Sequence, residues 1–544
     1  MPGGDRPLAP ATQATVEVKL IAFNDFHGNL RTPSLRVPVP DATKPTGIRF
    51  DPAGGIEQFS ALVQSLKAKN PNYAVVSAGD MVGASPLLSA LFKDEPTIEA
   101  MNLVGVDFHA VGNHEFDYGI RHLKRLKNGG CKIDDKTGQP DCEGRAPYAG
   151  ANFAFLAANV IEAATGQPLF PAWGVKEFDG IKVAFIGMTL RGTAAIVRPA
   201  GTAGVSFRDE VETVNALVPQ IRAQGIEAIV VLLHEGGIQS GGINDCRNFN
   251  GEIKGIVERI DKAIDVVLSA HTHQAYVCEF GGKLVTSAGS FGTLLTEIDL
   301  SLDRATRDVV RRSARNLVVK PDGDRDTRLA ALIDTYAGMS APLENRVVAK
   351  VSRELARTDW KPVETELGNL IADAQLYATA APDKGGAVIA INNQTSVRDS
   401  IVPGADGGVS YGALFRVQPF QNDLIVMTLT GSQLKRALEH QFTSERTLLD
   451  VSAGFSYTWD AAKPPGEKVP ANSLRLDGVA IEPDLQYRVT VNNFLAGGSE
   501  RHTVFAEGTE RQVSVLDLDA LVGYLGAHSP YSPPPLGKRM IRRN

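Results

Sequence analysis

The stretch Val111-Gly-Asn-His-Glu-Phe-Asp-Tyr-Gly119 decides the fold of the N-terminal part of the chain. An apolar run ends at Val111, and Asn113, His114 and Asp117 follow within the next six residues. Side chains of these three types bind metal ions or transfer protons. The stretch therefore predicts a β-strand that delivers an active-site loop to the edge of a sheet.

The same pattern recurs along the first 273 residues. Apolar segments that are typical of strands end in polar side chains, namely Asp25, His27, Asp80, Asn113, His234, His271 and His273. Helical patterns at 208–224 and 251–260 alternate with the strands, which predicts an α/β architecture. Ligands bind at the carboxyl ends of strands in such sheets, so we expect these side chains to gather at one edge. One histidine after a strand is typical of an ordinary loop, but five of the ten histidines occupy such positions, which favours a metal site.

Length and composition indicate how many domains the chain has and which classes of binding partner do not suit it. A chain of 544 residues is too long for one hydrophobic core and predicts two to four domains. With a formal net charge of -6, it has no basic surplus for binding nucleic acid polymers or anionic membranes. No apolar run is long enough to predict a membrane span. The first residues lack the apolar segment of a signal peptide, and we interpret 1–15 as a disordered leader.

The four cysteines, Cys131, Cys142, Cys246 and Cys278, allow three pairings. A bridge between the first two would close a polar loop, and the last two would then form the second bridge. No pair has the C-x2-C spacing of structural zinc. An even number near loops favours an oxidising compartment, and the alternative is four reduced cysteines in a cytosolic protein.

The remaining patterns suggest where domains begin and end. Five prolines in 31–52 predict a loop, 55–69 has helical apolar spacing, and 72–77 is typical of a strand. A helical pattern at 327–337 predicts a linker helix. The predicted organisation is a first domain over 16–320, a linker helix region over 321–349, a second domain over 350–525, and a Pro-rich and basic surface tail over 526–544.

Several motifs, taken together, resemble a known signature. Asp25-x-His27, Gly79-Asp80, Gly112-Asn-His-Glu115, His234 and His271-Thr-His273 resemble the motifs of the calcineurin-like metallophosphoesterases. The second half of the chain is similar to the bacterial 5'-nucleotidase and UDP-sugar hydrolase family. The resemblance implies an N-terminal four-layer αββα metallophosphoesterase sandwich and a smaller C-terminal α/β substrate-binding domain, joined by the linker helix. One departure is Ala270, which stands where the family usually has glycine.

The resemblance also implies two divalent metal ions, of zinc, manganese, iron or cobalt. One ion would be bound by Asp25, His27 and His273, the other by Asn113, His234 and His271, and both by a bridging Asp80. In such a site a metal-bound water attacks the phosphoryl group in line.

Two neighbouring residues are assigned catalytic roles by the same resemblance. His114 would stabilise the phosphoryl oxygens or assist the leaving group, and Asp117 would orient its imidazole. The alternative for Asp117 is a helix cap. Glu115 and Phe116 are assigned structural roles.

The second domain is expected to bind the rest of the substrate through Asn393, Arg398, Phe420, Phe494, Glu500 and Lys361. The two phenylalanines resemble a pair that stacks on a base, and the alternative is that they are core residues. Thr395 and Ser396 replace glycines of the family, and Ser499-Glu-Arg-His502 replaces an acidic and aromatic run. The reaction is therefore better defined than the substrate.

The resemblance, together with the cysteines, implies a monomeric, periplasmic or secreted hydrolase of nucleotide phosphate monoesters. Its partner would be a small nucleotide or nucleotide-like molecule. The alternatives are a different ester, such as a cyclic nucleotide, a UDP-sugar, a dinucleotide pyrophosphate or a sulfur-linked substrate, and a repurposed binding protein.

Overall fold

The structure is a computed structural model that describes residues 14–543, apart from 34, 42, 45–47, 134–139, 142–143, 146, 198–199, 359–361, 421 and 444–446. Its contacts divide the chain into two compact units. The first extends to Tyr336, apart from Ala84–Leu88 and Ala195–Arg198, which group with Ala337–Asn544 in the second. The predicted domain boundaries remain a prediction.

Two six-stranded sheets form the first unit. In spatial order the first sheet contains Val309–Val318, Leu294–Asp303, Thr15–Phe23, Tyr73–Ser77, Phe108–Ala110 and Ala154–Leu156. The second contains Trp173–Phe178, Ile181–Thr189, Ala228–His234, Val266–Ser269, Lys283–Ala288 and Ala275–Phe280. One hydrophobic cluster takes buried side chains from both sheets, so the sheets pack face to face, as the predicted sandwich requires.

Helices cover this sandwich. Up to residue 344 the α-helices are Ile56–Lys67, Leu87–Ala90, Glu95–Val104, Ile120–Asn128, Thr193–Ile196, Glu210–Arg222, Glu252–Arg259 and Thr327–Glu344. Every residue of the strand Ala228–His234 is buried, as expected for a parallel strand that is covered on both faces. Asp209 is the N-cap residue of the helix Glu210–Arg222, and its carboxylate accepts the backbone N–H groups of Val211 and Glu212. The predicted α/β sandwich is confirmed.

Among its described residues the first unit also contains three small two-stranded sheets: Val160–Glu162 with Val205–Phe207, Arg36–Pro40 with Ile48–Pro52, and Lys132–Ile133 with Pro140–Asp141. The prediction of a loop over 31–52 was wrong, because the second of these pairs is an antiparallel hairpin within it. Each strand of a two-stranded hairpin has a free edge, where the missing N–H of proline costs little.

The second unit contains a five-stranded sheet and a four-stranded sheet. In spatial order the strands of the larger sheet are Leu449–Val451, Ile389–Asn393, Gln486–Asn492, Asp423–Thr430 and Thr509–Leu516. The smaller sheet contains Val479–Ala480, Arg475–Leu476, Phe455–Trp459 and Met540–Arg542, and Val347–Lys350 pairs with Gly408–Ser410. The α-helices are Glu366–Thr379, Tyr411–Val417, Gly431–His440, Asn493–Ala496 and Asp517–Ala527. This mixed architecture agrees with the predicted α/β C-terminal domain.

The end of the C-terminal tail departs from the predicted surface extension. Met540–Arg542 pairs in parallel with the strand Phe455–Trp459. Arg539 is buried and makes two hydrogen bonds of 2.7 and 2.8 Å to the Asp373 carboxylate. A three-residue strand has too little periodicity to be predicted, so the pairing depends on the sheet that receives it.

One predicted disulfide is present, and it joins Cys246 to Cys278. Cys131 is also disulfide-bonded, but Cys142 lies outside the described residues, so that pairing remains a prediction. Within the described part of the chain, no helix has both the length and the hydrophobicity to cross a membrane.

Candidate metal centre

The predicted ligands lie where strands of both sheets end. Asp25 and His27 follow Thr15–Phe23, Asp80 follows Tyr73–Ser77, Asn113 follows Phe108–Ala110, His234 ends Ala228–His234, and His271 and His273 follow Val266–Ser269. Five of them have a positive φ, namely Asp25, His27, Asp80, His271 and His273. A positive φ is unfavourable for residues other than glycine and is concentrated at functional sites. The strand ends therefore bring the predicted ligands together in strained turns.

The first group of ligand atoms comes from Asp25, His27 and His273, all within 4.8 Å of one another. The Nε2 atoms of the two histidines are 3.1 Å apart. Asp25 Oδ1 lies 3.4 Å from His273 Nε2 and 3.9 Å from His27 Nε2. A carboxylate and two imidazoles at this spacing can share one divalent ion.

The second group comes from Asp80, His234 and His271, again within 4.8 Å. Asn113 joins it, because its Oδ1 lies 3.1 Å from His234 Nε2 and 2.9 Å from His271 Nδ1. Asp80 Oδ2 lies 3.0 Å from His234 Nε2 and 3.6 Å from His27 Nε2. Asp80 thus lies between the two groups, as a bridging ligand must.

The hydrogen bonds of the histidines show that this arrangement fits a pair of cations. His27 Nδ1 donates to the Gly83 carbonyl at 2.8 Å, and His234 Nδ1 donates to the Ala78 carbonyl at 3.0 Å. A carbonyl only accepts, so Nδ1 carries the proton and Nε2 presents a lone pair in each neutral ring. Lone pairs and carboxylate oxygens that converge at about 3 Å need positive charge between them. The donor set therefore fits divalent metal ions.

The electrostatics of the cluster agree with this reading. Burial lowers the pKa of His27 well below its usual value and lowers the pKa of His271 to about 3, with a contribution from His234. Neutral imidazole is the form that binds metal. Burial acts in the same direction on His234, but the Asp80 carboxylate overrides it and raises the pKa of His234 to about 10. The carboxylates therefore attract positive charge to this position.

His114 and Asp117 form the predicted pair beside the ligands. His114 Nδ1 lies 2.9 Å from Asp117 Oδ2, and its ring centroid is 5.1 Å from that of His27. The helix that follows is Ile120–Asn128. Its N-cap residue is Gly119, and no side chain caps it with a hydrogen bond. The alternative role of Asp117 as a helix cap is therefore not supported.

Glu115 is a site residue whose contribution the sequence did not reveal. It is 1% exposed, and its carboxylate accepts backbone N–H groups from Asp80 and Gly112, which belong to two different ligand-bearing loops. An acidic residue directly after two chemically active residues was the available signal. Its partners could not be identified without the tertiary structure.

Two family models match the chain. Residues 18–275 match the calcineurin-like phosphoesterases, and residues 346–507 match the 5'-nucleotidase C-terminal domain. The chain belongs to the calcineurin-like phosphoesterases that carry a 5'-nucleotidase C-terminal domain. The matched regions contain all seven predicted metal ligands and most of the second unit, whose strand Thr509–Leu516, helix Asp517–Ala527 and last strand Met540–Arg542 lie beyond them.

Known relatives of this phosphoesterase extend along nearly all of it. An endonuclease of Bacillus subtilis, YhcR, is 31% identical over 96% of this chain, which spans 40% of that protein's length. A 5'-nucleotidase of Vibrio cholerae is 24% identical over 87% of the chain and 85% of its own length. A 5'-nucleotidase precursor of Thermus thermophilus has a solved structure that is 25% identical, with a TM-score of 0.71 over 97% of this chain and 99% of its own.

The 5'-nucleotidase C-terminal domain contains the predicted substrate-binding residues. Asn393 ends the strand Ile389–Asn393, and its neighbour in the sheet, Gln486–Asn492, ends at Asn492. The two asparagines are joined by a hydrogen bond of 2.7 Å, and Asn393 also donates to Thr395 Oγ1 at 2.6 Å. The amide of Asn393 therefore stabilises this sheet edge, and direct substrate contact stays a prediction.

The two predicted stacking residues of the phosphoesterase are half-buried. Phe420 and Phe494 do not belong to the buried core of the domain, so both rings are partly accessible. Arg398 lies with Cζ 5.4 Å from the centre of the Phe420 ring, a cation–π distance. Arg398 and Phe420 therefore form one amphipathic surface element.

The remaining predicted positions are Glu500, with its neighbours Ser499 and His502, and Lys361. Ser499 and His502 are buried, and His502 Nε2 donates to the Thr447 carbonyl at 2.9 Å, so His502 packs inside the domain. Glu500 belongs to the short 3-10 helix Ser499–Arg501, but its side chain is outside the described part of the structure. Lys361 also lies outside the described residues.

Proposed function

We propose that this protein is a two-metal phosphohydrolase that cleaves phosphate monoesters of nucleotides. The observation that carries the proposal is the position of Asp80 Oδ2, 3.6 Å from His27 Nε2 and 3.0 Å from His234 Nε2. One carboxylate oxygen that faces ligand atoms of both groups is the arrangement that holds two ions close together. The 5'-nucleotidase precursor of Thermus thermophilus, which is 25% identical to this chain, supports the substrate class.

The predicted ligand set would hold the metals, and Asp80 would belong to both sites. Two divalent ions supply Lewis acidity, which polarises a phosphoryl group and activates water. The mixture of carboxylate, imidazole and amide ligands suits zinc, manganese, iron or cobalt. Asp25 also helps to position His271, because its Oδ1 and Oδ2 atoms both accept the backbone N–H of His271.

His114 has the position and charge of a group that acts on the phosphate. Burial alone would lower its pKa, but the Asp117 and Asp80 carboxylates raise the pKa of His114 to about 9. A protonated imidazole near neutral pH stabilises developing negative charge and can donate its Nε2 proton to a leaving oxygen. Asp117 holds the ring through Nδ1 and so fixes Nε2 as the reactive nitrogen.

The C-terminal domain is proposed to bind the nucleoside. Half-buried Phe420 and Phe494 offer aromatic faces for a base, and such stacking tolerates different bases. Arg398, beside Phe420, adds a positive charge for a phosphate or hydroxyl group. The side chains of Thr395 and Ser396 occupy the place of family glycines, so the nucleoside that fits best is proposed to differ from that of typical relatives.

A phosphodiesterase is the second candidate function. It is favoured by the Bacillus relative, an endonuclease that is 31% identical to this chain. The net charge of -6 argues against a polymeric substrate, because nucleic acid binding depends on phosphate neutralisation by Lys and Arg. A small diester is therefore the form of this alternative that fits the chain.

The experiment is a substrate panel with the metal-loaded protein. Purified protein with manganese or zinc is assayed for products from 5'-nucleotides, sugar phosphates, a cyclic nucleotide, NAD and single-stranded DNA. Release of inorganic phosphate from 5'-nucleotides at the highest kcat/KM supports the proposal. Diester cleavage without phosphate release favours the second candidate. No turnover of a monoester by protein with two bound ions would overturn the 5'-nucleotidase assignment.

The nucleoside-binding role has its own control. Phe420→Ala is expected to raise KM for AMP roughly tenfold, since stacking contributes about 1 to 3 kcal/mol per base. The KM for p-nitrophenyl phosphate, which lacks a nucleoside, serves as the matched reference. An equal effect on both substrates would contradict base stacking at Phe420.

We also propose an oxidising compartment, periplasmic or extracellular, and a monomeric state. The Cys246–Cys278 disulfide supports the compartment, because disulfides persist mainly outside the cytosol. Fractionation of the native host tests the location, and light scattering of the purified protein tests the oligomeric state.

A further inference from the structure

We infer that Glu115 is a positioning residue that locks together the two loops that carry Asp80 and Asn113. Its Oε2 accepts the backbone N–H of Asp80 at 3.0 Å and that of Gly112 at 2.6 Å. Its Oε1 accepts the N–H of Met81 at 2.8 Å. The inference rests on the proposed metal pair and adds a residue that has no ligand role in it.

A fourth backbone group completes the clamp, because Val82 N donates to the same Oε1 at 3.3 Å. Glu115 is 1% exposed, so these bonds replace water almost entirely. Hydrogen bonds to an ionised acceptor are about twice as strong as neutral ones. A carboxylate accepts with both oxygens, whereas an amide of the same shape accepts with only one. The four donors therefore require the negative charge at this position.

The two loops also interlock next to the carboxylate. His114 N donates to Asp80 Oδ1 at 2.9 Å, so Asp80 is held by the loop that carries Asn113. A Cβ atom at Gly112 would overlap Asp80 Oδ1 and its backbone nitrogen. This close approach of Gly112 to Asp80 allows Glu115 to reach the backbone of both loops. A shift of Glu115 would therefore move the bridging carboxylate.

A histidine supports Glu115 from behind. His109 Nε2 lies 3.3 Å from Glu115 Oε1, so the ring is in direct contact with the carboxylate. His109 Nδ1 lies 3.2 Å from Ser77 Oγ, and its ring packs edge-on against Phe155 at 4.9 Å. The ring is fully buried. It therefore limits the movement of the Glu115 carboxylate away from the loops.

The expected effect of losing the clamp is on metal affinity. Residues that orient metal ligands typically change affinity or activity about 10- to 100-fold when they are replaced. Glu115→Gln keeps the size of the side chain and directs an NH2 group at backbone donors. We expect this substitution to weaken the binding of the two metal ions by about 10- to 100-fold.

The matched control is Glu439 in the second unit. Its carboxylate is also buried and accepts three backbone N–H groups, from Gly466, Lys468 and Val469. Glu439→Gln removes a comparable set of bonds far from any metal ligand in sequence. It is expected to lower stability while leaving metal affinity as in the wild type. The comparison separates loss of metal positioning from general loss of stability.

The measurement is a chelator competition with manganese or zinc on full-length protein, together with the number of ions per chain by elemental analysis. Weaker binding by Glu115→Gln with wild-type binding by Glu439→Gln supports the inference. Wild-type affinity in Glu115→Gln overturns it. If Glu115→Gln does not fold, Glu115→Asp is used, because the shorter side chain keeps the charge but cannot reach both loops. Wild-type affinity in that variant also overturns the inference.

The proposed function and this inference fail in different ways. Wild-type protein that binds no pair of ions would overturn the proposed function. Wild-type protein that binds two ions, with Glu115→Gln binding them equally well, would overturn only the role of Glu115.

Discussion

The Nδ1 atom of His114 lies 2.9 Å from Oδ2 of Asp117, and this contact joins the two residues beside the predicted metal ligands. Both side chains are about three-quarters covered, with 23% and 24% exposed. Water can therefore reach the pair only in part, and the carboxylate determines which nitrogen of His114 faces outward.

This pairing predicts different losses for the two residues. His114→Ala should lower kcat by about 10²- to 10⁴-fold, the usual contribution of a positioned acid or base. Asp117→Asn should cost about tenfold, because the imidazole remains but loses charge stabilisation worth about 1.4 kcal/mol. Both variants should keep two ions per chain by elemental analysis. A loss of metal from either variant would contradict the assigned roles.

The close approach of Gly112 to Asp80 predicts a steric effect. Gly112→Ala places a methyl group on the Asp80 carboxylate oxygen, so Asp80 must move from its position between the two groups of ligands. We expect at least about tenfold weaker metal binding in a chelator competition. Gly255→Ala is the control, because a Cβ there meets no atom within 4 Å and a helical alanine adds up to about 1 kcal/mol of stability. Equal metal binding in both variants would disprove the steric argument.

The Cys246–Cys278 disulfide closes a loop with a sequence separation of 32 and predicts a stability effect. A cross-link that closes a loop of this length lowers the entropy of the unfolded chain, which is expected to raise the free energy of unfolding by about 3 to 4 kcal/mol. The double variant Cys246→Ser, Cys278→Ser should lose a free energy of unfolding of that size in a urea titration without reductant. The wild type in reductant should lose at least as much stability as the variant, because the bridge at Cys131 is reduced as well, and an unchanged midpoint in both would contradict the estimate.

The buried Asp450 predicts a dependence of stability on pH. Burial raises the pKa of Asp450 to about 7, although Gln394 and Arg539 act to lower it. Between about pH 4 and pH 7 the folded protein therefore holds a proton that the unfolded chain has released. The free energy of unfolding contributed by this group falls as pH rises through that range, by at most about 4 kcal/mol.

Asp450→Asn is expected to remove this dependence and to be more stable than the wild type at pH 8. Asparagine keeps the oxygen that accepts from Gln394 Nε2 at 3.1 Å and has no charge to bury. The measurement is urea unfolding at pH 5 and pH 8. Asp373→Asn serves as a contrast, because its carboxylate is paired with Arg539 and its loss should destabilise at both pH values. A less stable Asp450→Asn at pH 8 would refute the prediction.

Much of the fold was predictable because its signals are local. The strand predicted over 72–77 differs by one residue from the observed Tyr73–Ser77, since buried parallel strands are continuous apolar runs. The hairpin Arg36–Pro40 with Ile48–Pro52 was missed, because its prolines conceal a pairing that only the partner strand creates. The helix Thr327–Glu344 continues seven residues beyond the predicted 337, as helix ends depend on packing more than on periodicity.

The sequence by itself determined the chemistry of the metal centre. Each candidate ligand follows a strand, and the carboxyl ends of strands meet at an edge of the fold, so residue type and position were sufficient to predict a shared site. Only the tertiary structure decided how that site is held. The four backbone donors on Glu115, the place of Asp80 between two groups of ligands and the burial of Arg539 against Asp373 join segments that are distant in sequence. Such contacts depend on the packing of whole loops and strands, so their partners could not be identified from periodic or local patterns in the sequence.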